Sequence, residues 1–259
     1  MDHRETCSMA LSATDIPSDL RRREPVLDAL SGAFTTLRQR FLRYDKMAAL
    51  VARMLRDAAA DTAEGPVRFV DVGCAEGGLA LRITARLPRS VAGRLEPIGI
   101  EVSKYLAHLA HLALDGRGGR CIQGAAVDGL DAVERGSVHV IALSRTLEHE
   151  TSPLSLLRLC RERLALDGRI VVRVPNHACV GRRLRGSGWY GCRRPDHVAS
   201  FTPETLAALA RAAGLRVVRM NAFDRSPLSD SLYAMLGRDV TAVLEAVAPA
   251  VGSRQRKAA

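Results

Sequence analysis

The pattern of hydrophobic positions in the middle of the chain predicts alternating strands and helices. Residues 67–72 form a mostly apolar run typical of a buried parallel strand, and a glycine-rich turn and an amphipathic segment follow it. Further strand-like runs, separated by turns and helical segments, occur at 96–102, 120–123, 137–144, 168–176 and 215–220. This alternation indicates an α/β fold with a parallel sheet.

The two ends of the chain have weaker patterns. Residues 1–23 are polar and unpatterned, which predicts a disordered segment. Apolar residues at three-to-four spacing predict helices within 24–62, and these helices either cover a ligand cleft or only pack against the domain. The central domain is expected at 63–221. Residues 222–259 are expected to form a helical extension and a tail, in which 240–247 is the only candidate for a seventh strand.

A glycine-rich turn joins the first strand to its helix. It holds Asp71, Gly73, Ala75, Gly77 and Gly78 in the pattern D-x-G-x-A-x-G-G. Glycines at the carboxyl end of a parallel strand bring bare backbone N–H groups to the sheet edge and let a nucleotide-like ligand approach without Cβ clashes. A dinucleotide-binding fingerprint needs no carboxylate just before its first glycine. A carboxylate there would attract a cofactor that carries an amino group and a sulfonium. The turn therefore predicts a loop for a methionine-derived cofactor, with a dinucleotide reductase as a distant alternative.

This stretch resembles motif I of the class I S-adenosylmethionine-dependent methyltransferases, with Ala75 in the place of the middle glycine. The resemblance implies a Rossmann-like class I methyltransferase fold, in which a mostly parallel sheet of six or seven strands has helices on both faces. It also implies S-adenosyl-L-methionine as the cofactor. Glu101 would hold the ribose hydroxyls, and Asp128 would read the adenine amino group. The predicted cofactor-binding residues are Asp71, Gly73, Cys74, Gly77, Glu101, Asp128 and Ser144.

The resemblance continues after the fourth strand, where many small-molecule methyltransferases carry the sequence LEH. His149 would lie at the carboxyl end of a parallel strand, facing the methyl donor, either as the general base for an acceptor hydroxyl or as a scaffold for the loop. His197 is the second candidate base. Ubiquinone-pathway members bind a divalent ion through E-x-x-E-H, but Arg145 stands at the first position here. No metal is therefore expected, and a cation at this corner favours an anionic acceptor.

A glycine-rich segment after the fifth strand, 176–200, is predicted to be an irregular substrate lid without regular helix or strand. Its VPN, G-x-x-W, P-x-H and FTP sequences resemble a subgroup that includes ubiquinone-type, natural-product and saccharide methyltransferases. Either the lid forms a pocket for an anionic or sugar-like acceptor, with Trp189 as a stacking wall, or it is a solvated basic loop pinned by a buried tryptophan. The predicted substrate-binding residues are Arg145, Trp189, Tyr190, Arg193 and Arg194.

Composition limits the alternatives. The six cysteines include no C-x-x-C pair, which predicts reduced thiols rather than a disulfide framework or a zinc site. His108 and His111 are three residues apart on a predicted helix and are expected on its surface without a metal. The formal charge of +10 permits an RNA substrate, but nearly all of the basic residues are arginine, which also fits a coding bias, and few aromatic residues are present to stack bases. No stretch has the pattern of a membrane span or a secretory signal, so a soluble, cytoplasmic protein without a membrane partner is expected.

These features together predict an S-adenosylmethionine-dependent methyltransferase that acts on a hydroxyl of a small-molecule or saccharide acceptor. An RNA methyltransferase is one alternative, although the chain has no N-P-P-Y-type motif after the fourth strand. A non-catalytic relative that retains the fold is another, because Ala75, Ala125, His139 and Arg145 depart from the resembled pattern. The sequence specifies neither the acceptor nor the oligomeric state.

Overall fold

The structure, a computed structural model, describes residues 45–62, 65–192, 194–220 and 227–239. Its helices and strands all belong to one compact unit that begins at Lys46. Several predictions fall outside the described residues. They concern the N-terminal segment, the first of the N-terminal helices, Arg193, the candidate strand 240–247 and the tail.

The described residues form seven strands, eight α-helices and two short 3-10 helices. The strands are β1 Val67–Val72, β2 Leu95–Glu101, β3 Arg120–Gln123, β4 Val138–Ser144, β5 Leu164–Pro175, β6 Leu215–Arg219 and β7 Ser231–Arg238. The α-helices are α1 Lys46–Asp61, α2 Gly78–Thr84, α3 Arg89–Ala92, α4 Lys104–Asp115, α5 Ala126–Asp131, α6 Pro153–Arg163, α7 Val180–Arg185 and α8 Pro203–Ala212. The 3-10 helices are Leu147–His149 and Gly186–Gly188.

All seven strands lie in one sheet, in the order β3-β2-β1-β4-β5-β7-β6. The first five strands run parallel, while β7 is antiparallel to its neighbours β5 and β6. The strand order reverses between β1 and β4. Ligands of open α/β sheets bind at the carboxyl ends of the strands beside such a reversal. The predicted mostly parallel fold is confirmed, and its ligand-binding edge lies where the glycine loop leaves β1.

Two clusters of buried side chains attach the helices to the two faces of the sheet. On one face, Val51 and Leu55 of α1 pack with Phe69 of β1. On the other face, Leu156 of α6 and Leu206 of α8 pack against the sheet. Burying a side chain of this size contributes roughly 1.5–3 kcal/mol, so these contacts fix the helices firmly. α1 thus packs against the domain, and a role in covering the ligand cleft stays a prediction.

The predicted helical extension is wrong at residues 231–238, which form β7. Their sequence, SLYAMLGR, has no β-branched residue and is rich in residues that favour helices in isolation. Pairing with β5 and β6 overrides this propensity, since Leu232, Ala234 and Leu236 are buried at alternate positions. Residues 231–238 therefore form the seventh strand of the sheet.

The lid, 176–200, starts and ends at the same place, because Asn176 pairs with Phe201 in an isolated bridge. Contrary to the prediction of a wholly irregular segment, it contains α7 and the 3-10 helix Gly186–Gly188. The lid is followed by α8, whose predicted cap is confirmed. Thr202 Oγ1 accepts the N–H of Thr205 at 3.3 Å, while the N–H of Thr202 donates to Thr205 Oγ1 at 2.8 Å.

The described residues can be compared with the composition in three respects: the cysteines, two histidines and the apolar character of the helices. All five described cysteines are free thiols. His108 and His111 are exposed on the surface of α4, as expected. Within the ranges given above, the structure contains no helix with the length and apolar character needed to span a membrane.

Candidate active site

The predicted site residues lie along the carboxyl edge of the parallel strands. The glycine loop follows β1, Glu101 ends β2 and Ser144, half-buried, ends β4. The 3-10 helix with His149 follows β4, and the lid follows β5. Asp128 lies in the first turn of α5, after β3, and is exposed. The sheet therefore gathers the predicted donor and acceptor residues at one edge, although they are far apart in the sequence.

The glycine loop requires left-handed backbone at several positions. Gly73 has a φ of 73° and Gly77 a φ of 81°. A Cβ atom on Gly77 would lie 3.5 Å from the Cα of Ala110, an ordinary contact distance, so the positive φ and not a lack of space favours glycine here. Ala75 is left-handed as well, with a φ of 48°. This conformation costs a residue with a Cβ roughly 1–2 kcal/mol, which explains why the resembled pattern has glycine at that position.

The backbone N–H groups of the loop are not bare, in contrast to the prediction. Those of Gly73 and Cys74 donate to the carbonyl of Ile100 at 2.8 and 3.1 Å, and that of Gly77 donates to the carbonyl of Cys74 at 2.9 Å. These donors hold the loop to β2 and to itself. They are therefore not directed at a phosphate, which suits a cofactor without one.

Glu101 connects the end of β2 to the glycine loop. Its Oε2 accepts the N–H of Ala75 at 3.0 Å, and its Oε1 accepts the N–H of Ser103 at 2.9 Å. Only 8% of the residue is exposed. The same carboxylate that is predicted to hold the ribose thus also fixes the shape of the loop.

Asp71, at the end of β1, is a second buried carboxyl group. Burial raises its pKa to about 7, the charge of Glu101 adds to this effect, and Arg82 opposes it. A carboxyl group with this pKa is only partly ionised near neutral pH. A cation placed beside it would favour the ionised form, since opposite charges attract strongly where water is excluded.

The thiol of Cys74 is directed at the sheet. Its Sγ lies 3.7 Å from the Sγ of Cys121 in β3, and a Cβ atom on Gly99 between them would lie 2.6 Å from it. The hydrogen bond with Cys121 raises the pKa of Cys74, as does burial. Any contact of Cys74 with a cofactor would therefore be made by its backbone.

Thr146 joins the donor loop to the loop that follows β4, and no sequence motif pointed to this residue. Its hydroxyl donates to the carbonyl of Val72 at 2.7 Å. A Cβ atom on Gly73 would lie 2.9 Å from the same hydroxyl oxygen. The glycine is therefore needed here for close approach as well as for its positive φ.

His149 and His197 are brought together from β4 and the lid, with their ring centroids 4.8 Å apart in an edge-to-face arrangement. His149 Nδ1 lies 3.0 Å from the carbonyl oxygen of Asp196, and His197 Nδ1 lies 3.0 Å from that of Gly191. Because a carbonyl only accepts hydrogen bonds, each Nδ1 carries the proton and each Nε2 retains its lone pair. Each Nε2 is thus the ring nitrogen that can accept a proton or bind a cation.

Glu148 lies beneath the two histidines and is only 1% exposed. Its main-chain carbonyl accepts the N–H groups of Val198 and Ala199 at 2.9 and 3.0 Å, which fastens the lid to this turn. Neither carboxylate oxygen has a hydrogen-bond partner in the described residues. Burial raises the pKa of Glu148, while its own backbone N–H and the charges of His149, His197 and Arg145 lower it. From the sequence, the only role expected of Glu148 is to cap or orient this loop.

Arg145 has an exposed side chain and an unusual backbone, with a φ of 62°. Its N–H donates to the carbonyl of Arg173 at 2.9 Å. Burial raises the pKa of the nearby Tyr190, and the charges of Arg145 and Arg173 lower it. The Tyr190 hydroxyl donates to the carbonyl of Asp230 at 2.6 Å. The guanidinium of Arg145 is thus the exposed group at this corner, and the Tyr190 hydroxyl serves to hold the lid.

The predicted stacking wall at Trp189 is wrong, because the residue has no exposed surface. Its ring contacts His177 edge-on at a centroid distance of 5.0 Å and lies 4.8 Å from the ring of Tyr190. Gly191 packs directly against the ring. The other described arginines of the lid, including Arg194, are exposed. The alternative interpretation, a basic lid pinned by a buried tryptophan, fits these observations.

Comparisons with known proteins agree with this architecture. A family model described as a methyltransferase domain matches residues 37–220. The ubiquinone biosynthesis O-methyltransferase of Cupriavidus pinatubonensis is 30% identical over 186 residues, which cover 66% of this chain and 68% of that protein. Its counterpart in Cereibacter sphaeroides strain KD131 is 30% identical over 199 residues, covering 74% and 77% of the two chains.

Solved structures show the same fold at low sequence identity. Mitomycin 7-O-methyltransferase is 18% identical with a TM-score of 0.52, and the match covers 73% of this chain and 54% of that one. An O-methyltransferase from neocarzinostatin biosynthesis, solved with S-adenosylmethionine and 2-hydroxy-5-methyl naphthoic acid, is 24% identical with a TM-score of 0.51, covering 85% and 60%. This chain thus spans little more than half the length of those two structures. Together with the family match, the glycine loop and the strand order, these comparisons show that the chain belongs to the class I S-adenosylmethionine-dependent methyltransferases and is related to the ubiquinone biosynthesis O-methyltransferases.

Proposed function

We propose that the protein transfers a methyl group from S-adenosylmethionine to a hydroxyl oxygen of an anionic or sugar-like small molecule. The observation that carries this proposal is the pair His149 and His197 at the carboxyl edge of the sheet, each with its Nδ1 bonded to a carbonyl. An imidazole with a free Nε2 is a suitable general base for a hydroxyl proton.

The donor half of the proposed site suits the chemistry of S-adenosylmethionine. Its sulfonium and amino group are cationic, and two buried carboxyl groups, Asp71 and Glu101, flank the loop. Gly73 and Gly77 leave the loop without side chains at its tightest turns. We assign donor binding to these four residues, to the backbone of Cys74, to Asp128 in the first turn of α5 and to Ser144 at the end of β4. S-adenosylmethionine would supply the electrophilic methyl group.

The reaction itself requires alignment more than covalent chemistry. The acceptor oxygen forms a bond to the methyl carbon while the carbon–sulfur bond breaks in line, and the hydroxyl proton passes to the Nε2 of His149. His197 is the second candidate for this proton, since its Nε2 is equally free. Thr146 would keep the donor loop and the base-bearing turn in register through its bond to the carbonyl of Val72.

The acceptor class is inferred from the charges around this corner. Arg145 is exposed next to the two histidines, and Arg194 of the lid is exposed as well. A carboxylate or phosphate on the acceptor would be held by such guanidinium groups. Tyr190 would support the pocket through its bond to Asp230. The name of the relatives places their O-methylation in ubiquinone biosynthesis, which supports a hydroxyl acceptor here too.

The proposal is tested by donor binding and by methyl transfer. Calorimetry should show S-adenosylmethionine binding to the wild type. Extracts of the host incubated with the protein and isotopically labelled donor should yield a labelled small molecule by mass spectrometry. His149→Ala should lower turnover about 100-fold or more while donor affinity stays unchanged, because general bases contribute that much. His111→Ala, on the exposed face of α4, is the matched control. Unaltered turnover in His149→Ala would show that His149 is not the general base, and that either His197 or no residue has this role.

A second candidate, methylation of RNA, is favoured only by the formal charge of +10. It predicts RNA binding whose affinity falls steeply with salt concentration. Absence of binding at low salt, together with labelling confined to small molecules, would exclude it.

A further inference from the structure

Three metal-binding groups converge beside the proposed acceptor position. They are the carboxylate of Glu148 and the imidazoles of His149 and His197, and their ligand atoms lie within 4.8 Å of one another. Two of them come from the turn after β4 and the third from the lid. No other group of three such side chains occurs in the part of the chain that the structure describes.

The buried carboxylate of Glu148 is compensated by the nearby charges of His149, His197 and Arg145 and not by a side-chain hydrogen bond. It is 1% exposed, and neither of its oxygens accepts a hydrogen bond from the described residues. Leaving a buried carboxylate without a partner is costly, and such groups are commonly paired with a cation or bound to a metal. The unpartnered oxygens therefore point to a ligand at this position.

The two imidazoles have the orientation of metal ligands. Each donates from Nδ1 to a backbone carbonyl, that of Asp196 for His149 and that of Gly191 for His197. His149 Nδ1 is also 3.3 Å from a carboxylate oxygen of Asp196. Metal-ligating histidines almost always donate their second N–H to a carbonyl or carboxylate, which fixes the tautomer and leaves the other nitrogen for the ion.

The donor set differs from the E-x-x-E-H pattern of the ubiquinone-pathway enzymes. Arg145 occupies the first position, so one carboxylate ligand is lost. His197, from the lid, supplies a third candidate ligand instead. A site with one carboxylate and two imidazoles suits a transition-metal ion, whereas Mg²⁺ prefers oxygen ligands alone.

We propose that Glu148, His149 and His197 form a binding site for a divalent transition-metal ion, with the lid histidine as its third ligand. This inference departs from the expectation of no metal and rests on the proposed function for its catalytic meaning. A bound ion would acidify the acceptor hydroxyl and would occupy the imidazoles, whereas without an ion His149 keeps the role of base proposed above.

Binding would also draw the lid closer to the turn after β4. Ligand nitrogens in a tetrahedral zinc site lie about 3.3 Å apart, which is closer than the separation of up to 4.8 Å seen here. His197 is the ligand carried by the lid, so its approach would close the lid over the acceptor. The main-chain bonds from Val198 and Ala199 to Glu148 already hold the neighbouring backbone in place.

The experiment is calorimetric titration of the full, tag-free, EDTA-treated chain with ZnCl₂ or MgCl₂ alone, followed by CoCl₂ absorption spectra. One Zn²⁺ should bind per chain, with Mg²⁺ weaker by about 100-fold or more as expected for an imidazole-rich site. His197→Ala and Glu148→Gln should each weaken Zn²⁺ binding by about tenfold or more and abolish the Co²⁺ bands. His111→Ala should leave both unchanged. Thermal unfolding without metal verifies that each variant is folded, and His197→Gln replaces any alanine variant that is not.

The proposal is overturned if Zn²⁺ does not saturate at one per chain, or if both ligand variants bind it like the wild type. These outcomes are separable from failure of the proposed function. Methyl transfer that persists in EDTA, together with absence of saturable Zn²⁺ binding, retains the function and overturns the metal site. Zn²⁺ binding that responds to the variants, without any methylated acceptor, retains the metal site and overturns the function.

Discussion

The carboxylate of Glu101, at the end of β2, accepts a hydrogen bond from the backbone N–H of Ala75 in the glycine loop, at 3.0 Å. Glu101 thus fixes the shape of the glycine loop, and the same residue is proposed to bind the methyl donor. The second carboxylate oxygen is bonded to the N–H of Ser103, so the whole group is held rigidly.

We expect Glu101→Gln to weaken S-adenosylmethionine binding by about 10- to 100-fold, since hydrogen bonds to a charged group contribute about 1.5–3 kcal/mol. Glu101→Ala should weaken it further, because it also releases the loop. Calorimetry measures both. Glu96→Gln is the matched control at the opposite end of β2, where Glu96 pairs with Arg68 and Arg120. Wild-type affinity in Glu101→Ala would contradict the donor role.

Ala75 should be replaceable by glycine with a gain in stability. Its φ of 48° is strained for alanine, and relief of that strain outweighs the added flexibility of the unfolded chain. We expect Ala75→Gly to raise the free energy of unfolding by about 0.5–1 kcal/mol in urea titrations. The opposite exchange at Gly77, whose φ is 81°, should destabilise the protein. A less stable Ala75→Gly variant would show that the methyl group makes a needed contact.

Asp71 should make the ligand-free protein less stable as the pH rises. Burial raises its pKa to about 7 in the folded protein, compared with about 3.9 in an unfolded chain. Between these values the unfolded chain binds fewer protons than the folded one, so this contribution is lost from about pH 4 to about pH 7 and is constant above.

The comparison with Asp71→Asn isolates this effect, because asparagine does not titrate. The melting temperature of the variant minus that of the wild type, without S-adenosylmethionine, should increase from pH 4.5 to pH 8. A difference that does not change with pH would show that the carboxyl group is ionised throughout. Saturating donor should reduce the difference, since the cationic ligand favours the ionised form.

Trp189 should report on the packing of the lid, because it is the only tryptophan. Its buried ring predicts emission at short wavelength. Gly191→Ala places a methyl group against that ring and should shift the emission to longer wavelength and lower the melting temperature. Trp189→Ala should destabilise the protein by about 3–5 kcal/mol, as for a core residue. Leu184→Ala, on an 80% exposed residue of the same lid, should change neither property. A ring that is already accessible to quenchers in the wild type would restore the stacking interpretation.

Much of the fold follows from local pattern. The apolar run before Asp71, the glycines after it and the Thr202-Pro203 start of α8 act over a few residues, and each element formed where it was predicted. β7 did not follow from its sequence, because residues such as Ala234 and Met235 favour helices until β5 and β6 provide strand partners. The burial of Trp189 depends in the same way on neighbours distant in the chain.

The glycine loop could be read from local sequence, since positive φ at Gly73 and Gly77 and the acids at two strand ends are properties of single positions. The pairing of the two histidines depends on the three-dimensional fold. His149 and His197 are 48 residues apart in the chain, and no local pattern predicts that the lid returns to the turn after β4. The bonds from Val198 and Ala199 to the carbonyl of Glu148 bring them together. Long-range backbone pairing therefore created the acid and two imidazoles of the candidate centre.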